Sequence, residues 1–493
     1  MIIQTSGGQV RGYFDHSLYT FKGIPYGRAK RFCPAVPAHW DGVLDCASFG
    51  KKAMQPLPAP DGSPASDPDD YSEDCLYLNV YTPDVHKKLP VVIHIHGGGF
   101  QTGSGPDQDG AQIISSHQFV YVSFNYRLGV FGYLYLGSLL GSKYAQSGNL
   151  GTLDQLQAIA WVYENIRAFG GDPEQITVFG ESAGAKSIGA LMFSPVFCRC
   201  CRRVMMASGA IQSIRSTATA DAVARRLIAI GHFDRPEALL ELSSKELLAL
   251  QEKLCDNSGN TCTFGPTADG IVIPKDWQTV MHTADFWHGD AIIGCCRHEL
   301  ADYGRDTKDF VNAAPEIAKN LFEDYAEYAY QTIEHLKQLH PDQINQAHLS
   351  HWWVQVLSDY MYRTHTGRLA QLLEEHGCRV WKYSTEFGRA VHCLDQCLAF
   401  GSLDDCQPAL LGTSDQDQKA LAKAINEYYI RFFETGDPNK EGCLHWPLWH
   451  HHNPKVMVWD WPYHTANEAK DDALDDFPVS VYQISSDQDA HLQ

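Results

Sequence analysis

The stretch Val178-Phe179-Gly180-Glu181-Ser182-Ala183-Gly184 decides how this chain is read. It has the pattern G-x-S-x-G, entered from the β-branched run Ile176-Thr177-Val178 and left through Ala183, Ala185 and Ile188. That order predicts strand, sharp turn, helix, with the serine hydroxyl lifted at the top of a sheet on strained backbone. A glycine two positions either side is expected because a Cβ there would clash where strand and helix come close. The helix that follows directs its positive end at Ser182 and favours developing negative charge there.

Upstream, Leu76–Tyr81 alternates as a strand, and Pro90-Val91-Val92-Ile93-His94-Ile95-His96 reads as a more buried one that ends in Gly97-Gly98-Gly99-Phe100. Three glycines in a row let backbone N–H groups face a substrate carbonyl with no side chain in the way. His94 and His96 share one strand face, but no third ligand accompanies them, and they are read as strand histidines, with His96 bonding within the glycine loop. Phe119–Phe124 is a further strand. A helix follows, with Thr152 and Gln155 as its capping box, an apolar stripe from Leu156 to Ile166, and a stop at Gly170-Gly171-Asp172-Pro173. Strand, strand, helix, strand, helix predicts an α/β fold with a large central, mostly parallel, twisted sheet flanked by helices. Residues 1–50 predict a small N-terminal antiparallel β region. The prolines and aspartates of 55–74 predict a wet loop, 215–255 and 312–376 read as helical insertions, and the tail after 465 reads as loose.

A serine hydroxyl needs an imidazole to take its proton and a carboxylate to orient that imidazole. Each should lie on a loop after a later core strand, in the order Ser, acid, His. The strand Ala291–Gly294 exits into Cys295-Cys296-Arg297-His298-Glu299, which makes Glu299 the candidate acid; Asp302 is the rival carboxylate. The strand Arg379–Tyr383 exits toward His392, the candidate base among 23 histidines. Leu421, Ala424, Ile425, Tyr428 and Phe432 form a helix stripe closed by Gly436, and Val456–Trp459 is a last strand.

Composition bounds the partners. Of 493 residues 44% are apolar, enough for a large core, and 59 acidic against 39 basic residues give a net charge of −20, which argues against nucleic acid and anionic membranes. The N-terminus lacks the basic and apolar regions of a signal peptide, and no run of 18 apolar residues occurs, so a cytoplasmic location is expected. The 15 cysteines are read as mainly reduced, and Cys198-Arg199-Cys200-Cys201 and Cys255…Cys262 lack paired metal-ligand spacing. His445 and His450-His451-His452 read as a solvent-facing cluster.

Glu73-Asp74-Cys75-Leu76-Tyr77-Leu78-Asn79-Val80, the His96–Phe100 glycine loop, Asn125-Tyr126-Arg127-Leu128-Gly129, Gly148-Asn149-Leu150-Gly151 with Asp154-Gln155, Phe169–Pro173 and the Ser182 turn come in the order seen in type-B carboxylesterases. Over residues 3 to 460 the chain resembles that family, most of all intracellular bacterial carboxylesterases of the p-nitrobenzyl esterase kind. The resemblance implies one α/β-hydrolase domain over 1–493, hydrolysis of short- to medium-chain esters, and tolerance of bulky alcohols; the alternatives are a lipase, an amidase or thioesterase with the same triad, and, more remotely, a non-catalytic cholinesterase-like interaction protein on the same fold. It implies catalytic roles for Ser182, Glu299 and His392, with an oxyanion hole from the amides of Gly98, Gly99 and Ala183. It implies no cofactor and no metal, a small-molecule ester as partner, no membrane, and a monomer or small homo-oligomer. Relatives often bridge Cys75 to an upstream cysteine. Here the nearest is Cys46, and the expectation is an unstapled loop. No tryptophan stands in 55–74, which argues against a choline-ester specialist, and Leu300 replaces the glycine often found after the acid.

Overall fold

The computed structural model describes residues 1–56, 68–108, 110–114, 118–256, 263–302, 310–404, 406–468 and 479. The chain forms two compact units, one of residues 1–203 with 213–287, the other of residues 204–212 with 288–483.

Six main-sheet strands lie in the first unit: β1 (Tyr13–Asp15), β2 (Leu18–Pro25), β3 (Tyr77–Thr82), β4 (Leu89–Ile95), β5 (Val120–Phe124) and β6 (Gly171–Glu181). Their spatial order is β6-β4-β5-β3-β2-β1. β4 is parallel to both neighbours, with Val91 opposite Val120 on one side and Ile176 on the other. The outer pairs, β3 with β5, β3 with β2 and β2 with β1, are antiparallel. The near-continuous apolar run of β4 follows from this position: Val91, Val92, Ile93 and Ile95 are all fully buried, as expected for a parallel strand covered on both faces. The small N-terminal sheet is only partly antiparallel. Ile2–Gln4 runs antiparallel to Gln9–Arg11, but Val43–Asp45 joins it in parallel.

Helix α1 (Leu150–Asn165) begins two residues before Thr152, so the expected capping box does not form. Asn149 occupies the cap position with its side chain turned away, bonding Thr267 O at 2.7 Å and Asp269 Oδ2 at 2.9 Å. Gln155 instead donates to Ser187 Oγ at 3.0 Å. The stop is as expected: Gly170 is left-handed at φ 81°, and a Cβ there would lie 2.0 Å from the Asp84 carbonyl oxygen. The proline-rich stretch starts as a loop, but Lys52–Ala53 pairs in parallel with Tyr71–Ser72 at its margins, and residues 57–67 lie outside the described residues.

The second unit carries β7 (Arg203–Ala207, from Val204 onward), β8 (Asp290–Cys296), β9 (Val380–Thr385), β10 (Lys455–Trp459) and β11 (His464–Asn467), in the order β11-β10-β9-β8-β7. β8, β9 and β10 are parallel, and β11 returns antiparallel. β7 and β11 had no counterpart in the sequence reading. Both are short, five and four residues. The stretches read as helical hold Thr217–Ile230 and Ser244–Asp256 in the first unit, and Phe310–Phe322, Ala326–Leu339, Gln346–Ser358 and Thr364–Glu375 in the second. The long helix Asp415–Thr435 is capped by Ser414 and closed by Gly436 at φ 77°, and buries Leu421, Ile425, Tyr428 and Phe432. The tail read as loose falls outside the described residues from 469 on, Val479 excepted. No helix of the described residues is long and apolar enough to cross a membrane.

Cys46 and Cys75 are buried free thiols, and burial pushes Cys46 up to about 12. Among the described residues one disulfide forms, between Cys397 and Cys406, while twelve other cysteines are free. Nothing in the spacing of nine residues had distinguished that pair from the rest.

Candidate active site

In the first unit β6 runs straight into α2 (Ala183–Leu191), and Ser182 is the single residue of the turn. It sits at φ 53°, ψ −119°, a conformation that costs a non-glycine residue on the order of 1–3 kcal/mol. Its carbonyl accepts the N–H of Lys186 at 2.9 Å, so the helix starts at once and its axis leads away from the serine. The glycines act as expected, through different neighbours. A Cβ on Gly180 would meet the Gly184 carbonyl carbon at 2.5 Å, and a Cβ on Gly184 would lie 2.0 Å from the Ile95 carbonyl oxygen at the end of β4. The second glycine therefore admits a neighbouring strand as well as its own.

That approach brings the glycine loop to the turn. A Cβ on Gly97 would be 3.4 Å from the Ser182 Cβ. Gly98, Gly99 and Phe100 follow at φ 93°, 60° and 62°. The Gly98 carbonyl is occupied inside the loop, accepting the N–H of Gln101 and Thr102, each at 2.9 Å. No protein acceptor pairs with the N–H of Gly98, Gly99 or Ala183 among the described residues. His96 braces the loop as expected. Its Nδ1 lies 3.0 Å from the Gly97 carbonyl oxygen; a carbonyl only accepts, so Nδ1 carries the proton. Its ring stacks on Tyr126 at 4.4 Å, and the Tyr126 hydroxyl donates to the His96 carbonyl at 2.9 Å. Gln55 fixes the far side with two bonds to Gly103, at 3.0 and 3.1 Å.

The other sequence motifs hold this scaffold. Arg127 meets the buried Asp154 in a fork, Nε to Oδ2 and Nη2 to Oδ1, both 2.7 Å, and Gly129 donates to the Phe100 carbonyl at 2.7 Å. Glu73 takes the Arg31 guanidinium and the Ser244 hydroxyl. His94 is different. It is 2% exposed between Tyr121 and Phe179, neither ring nitrogen has a partner among the described residues, and burial pushes it down to about 3.

In the second unit β8 and β9 run parallel and in register, Cys296 opposite Thr385, so their exits lie side by side. Backbone bonds zip the exits together: Arg297 N–H to Thr385 O and His298 N–H to Ala390 O, both 2.9 Å. Glu299 and His392 meet there, His392 Nδ1 against Glu299 Oε2. The Glu299 side chain is fully buried, and its other oxygen, Oε1, accepts the Ser208 hydroxyl at 2.6 Å and the Cys296 N–H at 2.7 Å. Three donors thus converge on one buried carboxylate. The rival Asp302 pairs with the Arg389 guanidinium instead. Leu300, in the glycine's place, is buried, and its N–H reaches Ser358 Oγ at 3.1 Å. The His392 ring lies 5.1 Å from Tyr362.

Two polar residues of this unit escaped the sequence reading. Ser208 stands at φ 52° just past β7, the strand that was missed; the apolar run Val204-Met205-Met206-Ala207 was the available signal. Asp395 is 1% exposed and accepts the Tyr383 hydroxyl; only its place three residues after His392 could have flagged it. The histidine cluster is not merely solvated: His450 and His451 each place Nδ1 on Glu374, at 2.8 and 2.9 Å.

A model of the carboxylesterase family matches residues 1–475. The para-nitrobenzyl esterase of Bacillus subtilis (strain 168) is 31% identical, with 93% of this chain and 94% of that protein covered. The medium-chain fatty acyl-CoA hydrolase precursor of Anas platyrhynchos is 28% identical, with 98% and 93% covered. Among solved structures, the Geobacillus stearothermophilus carboxylesterase EST55 at pH 6.2 aligns with a TM-score of 0.82 at 31% identity, covering 95% of this chain and 98% of its own. Family, relatives and fold agree with the sequence reading: the chain belongs to the carboxylesterase family, has the α/β-hydrolase fold, and is a serine carboxylic ester hydrolase.

Proposed function

We propose that the chain hydrolyses short- to medium-chain carboxylic esters through an acyl-enzyme on Ser182, with His392 as general base and then general acid, and Glu299 as the carboxylate that orients it. The observation that carries this reading is the Glu299–His392 pair, in which both oxygens of the acid are engaged and the imidazole commits Nδ1 to it, so that Nε2 is the nitrogen for proton transfer. His392 Nε2 takes the Ser182 proton as Oγ attacks the carbonyl carbon. The resulting oxyanion is held by the amides of Gly98, Gly99 and Ala183, each contributing on the order of 3 kcal/mol in the transition state. The imidazolium then protonates the leaving alcohol, and water repeats the sequence to free the acid. Glu299 stays ionised throughout. The glycine loop leaves the carbonyl site unobstructed, which favours esters of bulky alcohols. The partner is a small-molecule ester; neither metal nor cofactor has a step to perform in this scheme.

Ser182→Ala tests the assignment with p-nitrophenyl butyrate. Turnover falls at least about a thousandfold while the circular dichroism stays native, and fluorophosphonate labelling of the peptide carrying residue 182 disappears. Turnover retained above about a thousandth removes Ser182 from the mechanism. A thioester substrate is the second reading, favoured by the similarity to a fatty acyl-CoA hydrolase. Comparing kcat/KM on butyryl-CoA and p-nitrophenyl butyrate separates the two, since the acyl group is shared and only the leaving group differs.

A further inference from the structure

Three residues past His392 a second carboxylate enters the interior. Asp395 stands in the first turn of α3 (Leu394–Phe400) and is 1% exposed. Its Oδ2 accepts the hydroxyl of Tyr383 from β9, and its Oδ1 accepts the N–H of Gln396 at 2.9 Å. Its own backbone N–H is directed at the Cys296 thiol, and the Cys296 backbone N–H is one of the donors to Glu299. Cys296 thus contacts the Glu299 carboxylate and the main chain of Asp395. Among the described residues no lysine or arginine pairs with Asp395; the cation within electrostatic reach is His392 once it is protonated. A buried carboxylate without a partner cation is costly, and packing alone would be served better by an apolar side chain beside Leu394 and Leu398.

We infer that Asp395, held by Tyr383, is a positioning residue that acts through His392: its negative charge adds to that of Glu299 and stabilises the imidazolium formed in each step of ester hydrolysis. This rests on the reading of His392 as the base. The titratable groups facing Asp395 are Glu299 and Cys296 from the end of β8, Tyr383 from β9, His392 from its own loop, and Tyr429 from the helix Asp415–Thr435. Burial holds both phenols and the thiol well above their ordinary values, so they stay neutral in the working range. Glu299 is engaged by three donors, Ser208, the Cys296 N–H and His392. The group whose charge changes in mild acid is Asp395. Burial first, then the neighbouring Glu299, push Asp395 up to about 6, against the Tyr383 and Gln396 donors and the pull of His392. It is neutral in mild acid and ionised above that point, so the second negative charge appears as the pH rises into the range where a neutral His392 is also needed. The acid limb of kcat/KM belongs to the pair.

The test is the pH profile of kcat/KM on p-nitrophenyl butyrate, with the rate of fluorophosphonate labelling of Ser182 as a readout independent of turnover. Asp395→Asn keeps the shape and removes the charge. The acid limb moves down by about one unit, as loss of one nearby opposite charge shifts an imidazole, and the plateau kcat falls about tenfold with little change in KM. Asp395→Glu restores both in large part. Tyr383→Phe leaves the carboxyl without its hydroxyl donor, so Asp395 ionises later and the limb moves up, opposite to Asp395→Asn. A lower plateau with an unmoved limb would mean that Asp395 only packs, and overturns the inference; so does an Asp395→Asn profile that overlays the parent. If Asp395→Asn does not fold, the direction of the Tyr383→Phe shift decides alone, an unmoved limb counting against the inference. Ser182→Ala separates this from the wider reading. If that variant is dead while the profile of Asp395→Asn is unchanged, only the role of Asp395 is lost; if it is active, the triad itself is.

Discussion

The turn at Ser182 and the pair at Glu299 are held by different physics. The first is built from missing side chains: Gly180, Gly184 and Gly97 let backbone approach backbone to distances that a Cβ would occupy. The second is built from side chains that arrive from three strands: Ser208 past β7, Glu299 past β8, His392 past β9. A backbone-built element fails by steric collision and takes the local fold with it. A hydrogen-bonded one fails by losing a donor or a charge and leaves the fold standing. The contrast can be broken by experiment.

The largest effect belongs to the acid. Glu299→Gln is expected to lower kcat on p-nitrophenyl butyrate by roughly three to four powers of ten, because the amide cannot stabilise an imidazolium or hold the tautomer. Asp302→Asn, which breaks the pair with Arg389, should stay within about tenfold. The reverse ranking means the wrong carboxylate has been assigned. Next comes Gly184→Ala, whose Cβ would lie 2.0 Å from the Ile95 carbonyl oxygen. It should cost more than about 3 kcal/mol in urea unfolding and remove activity with it, whereas Glu299→Gln leaves the melt nearly unchanged. A stable, inactive Gly184→Ala would erase the distinction between the two regions.

Ser208→Ala sharpens the second region. It leaves Glu299 Oε1 with the Cys296 amide alone, and the loss of one bond to a charged group predicts about a ten- to hundredfold fall in kcat. Global stability should change little, read from the same melts. The smallest effect is a pH dependence of stability in the first unit. His94 is held neutral, with its folded value near 3 against an ordinary 6.5. Above 6.5 neither folded nor unfolded chain is protonated there. As the pH falls below it, the unfolded chain takes up the proton and the native one does not, so stability drops by at most about 1.4 kcal/mol per unit until about pH 3. His94→Phe should flatten that slope between pH 6.5 and 5 in urea midpoints; an unchanged slope assigns the acid sensitivity to other groups.

The same contrast explains what could be read in advance. Gly180, Ser182, Gly184 and the Gly97–Gly99 loop were legible because a glycine requirement is local and leaves a mark at a fixed spacing. Glu299 and His392 were legible at one remove, because parallel neighbours in register end at one level, and their exits can be matched once the strands are placed. Ser208 was not, because its strand went unseen. Asp395 was not, because an aspartate in the first turn of a helix is ordinary in sequence, and only its burial against Tyr383 makes it unusual. The capping box at Thr152 was misread for a similar reason: Asn149 is drawn off by Thr267 and Asp269, more than a hundred residues away in the chain.

The amino-acid order alone determined the fold, the family and the identity of the strained serine, because hydrophobic period and glycine spacing act over a few residues and need no partner. The tertiary structure decided which carboxylate His392 bonds, which donors reach that carboxylate, that Cys397 rather than Cys75 is bridged, and that a second acid lies buried behind the pair. Those outcomes depend on desolvation and on contacts between distant segments, and neither leaves a local trace in the chain.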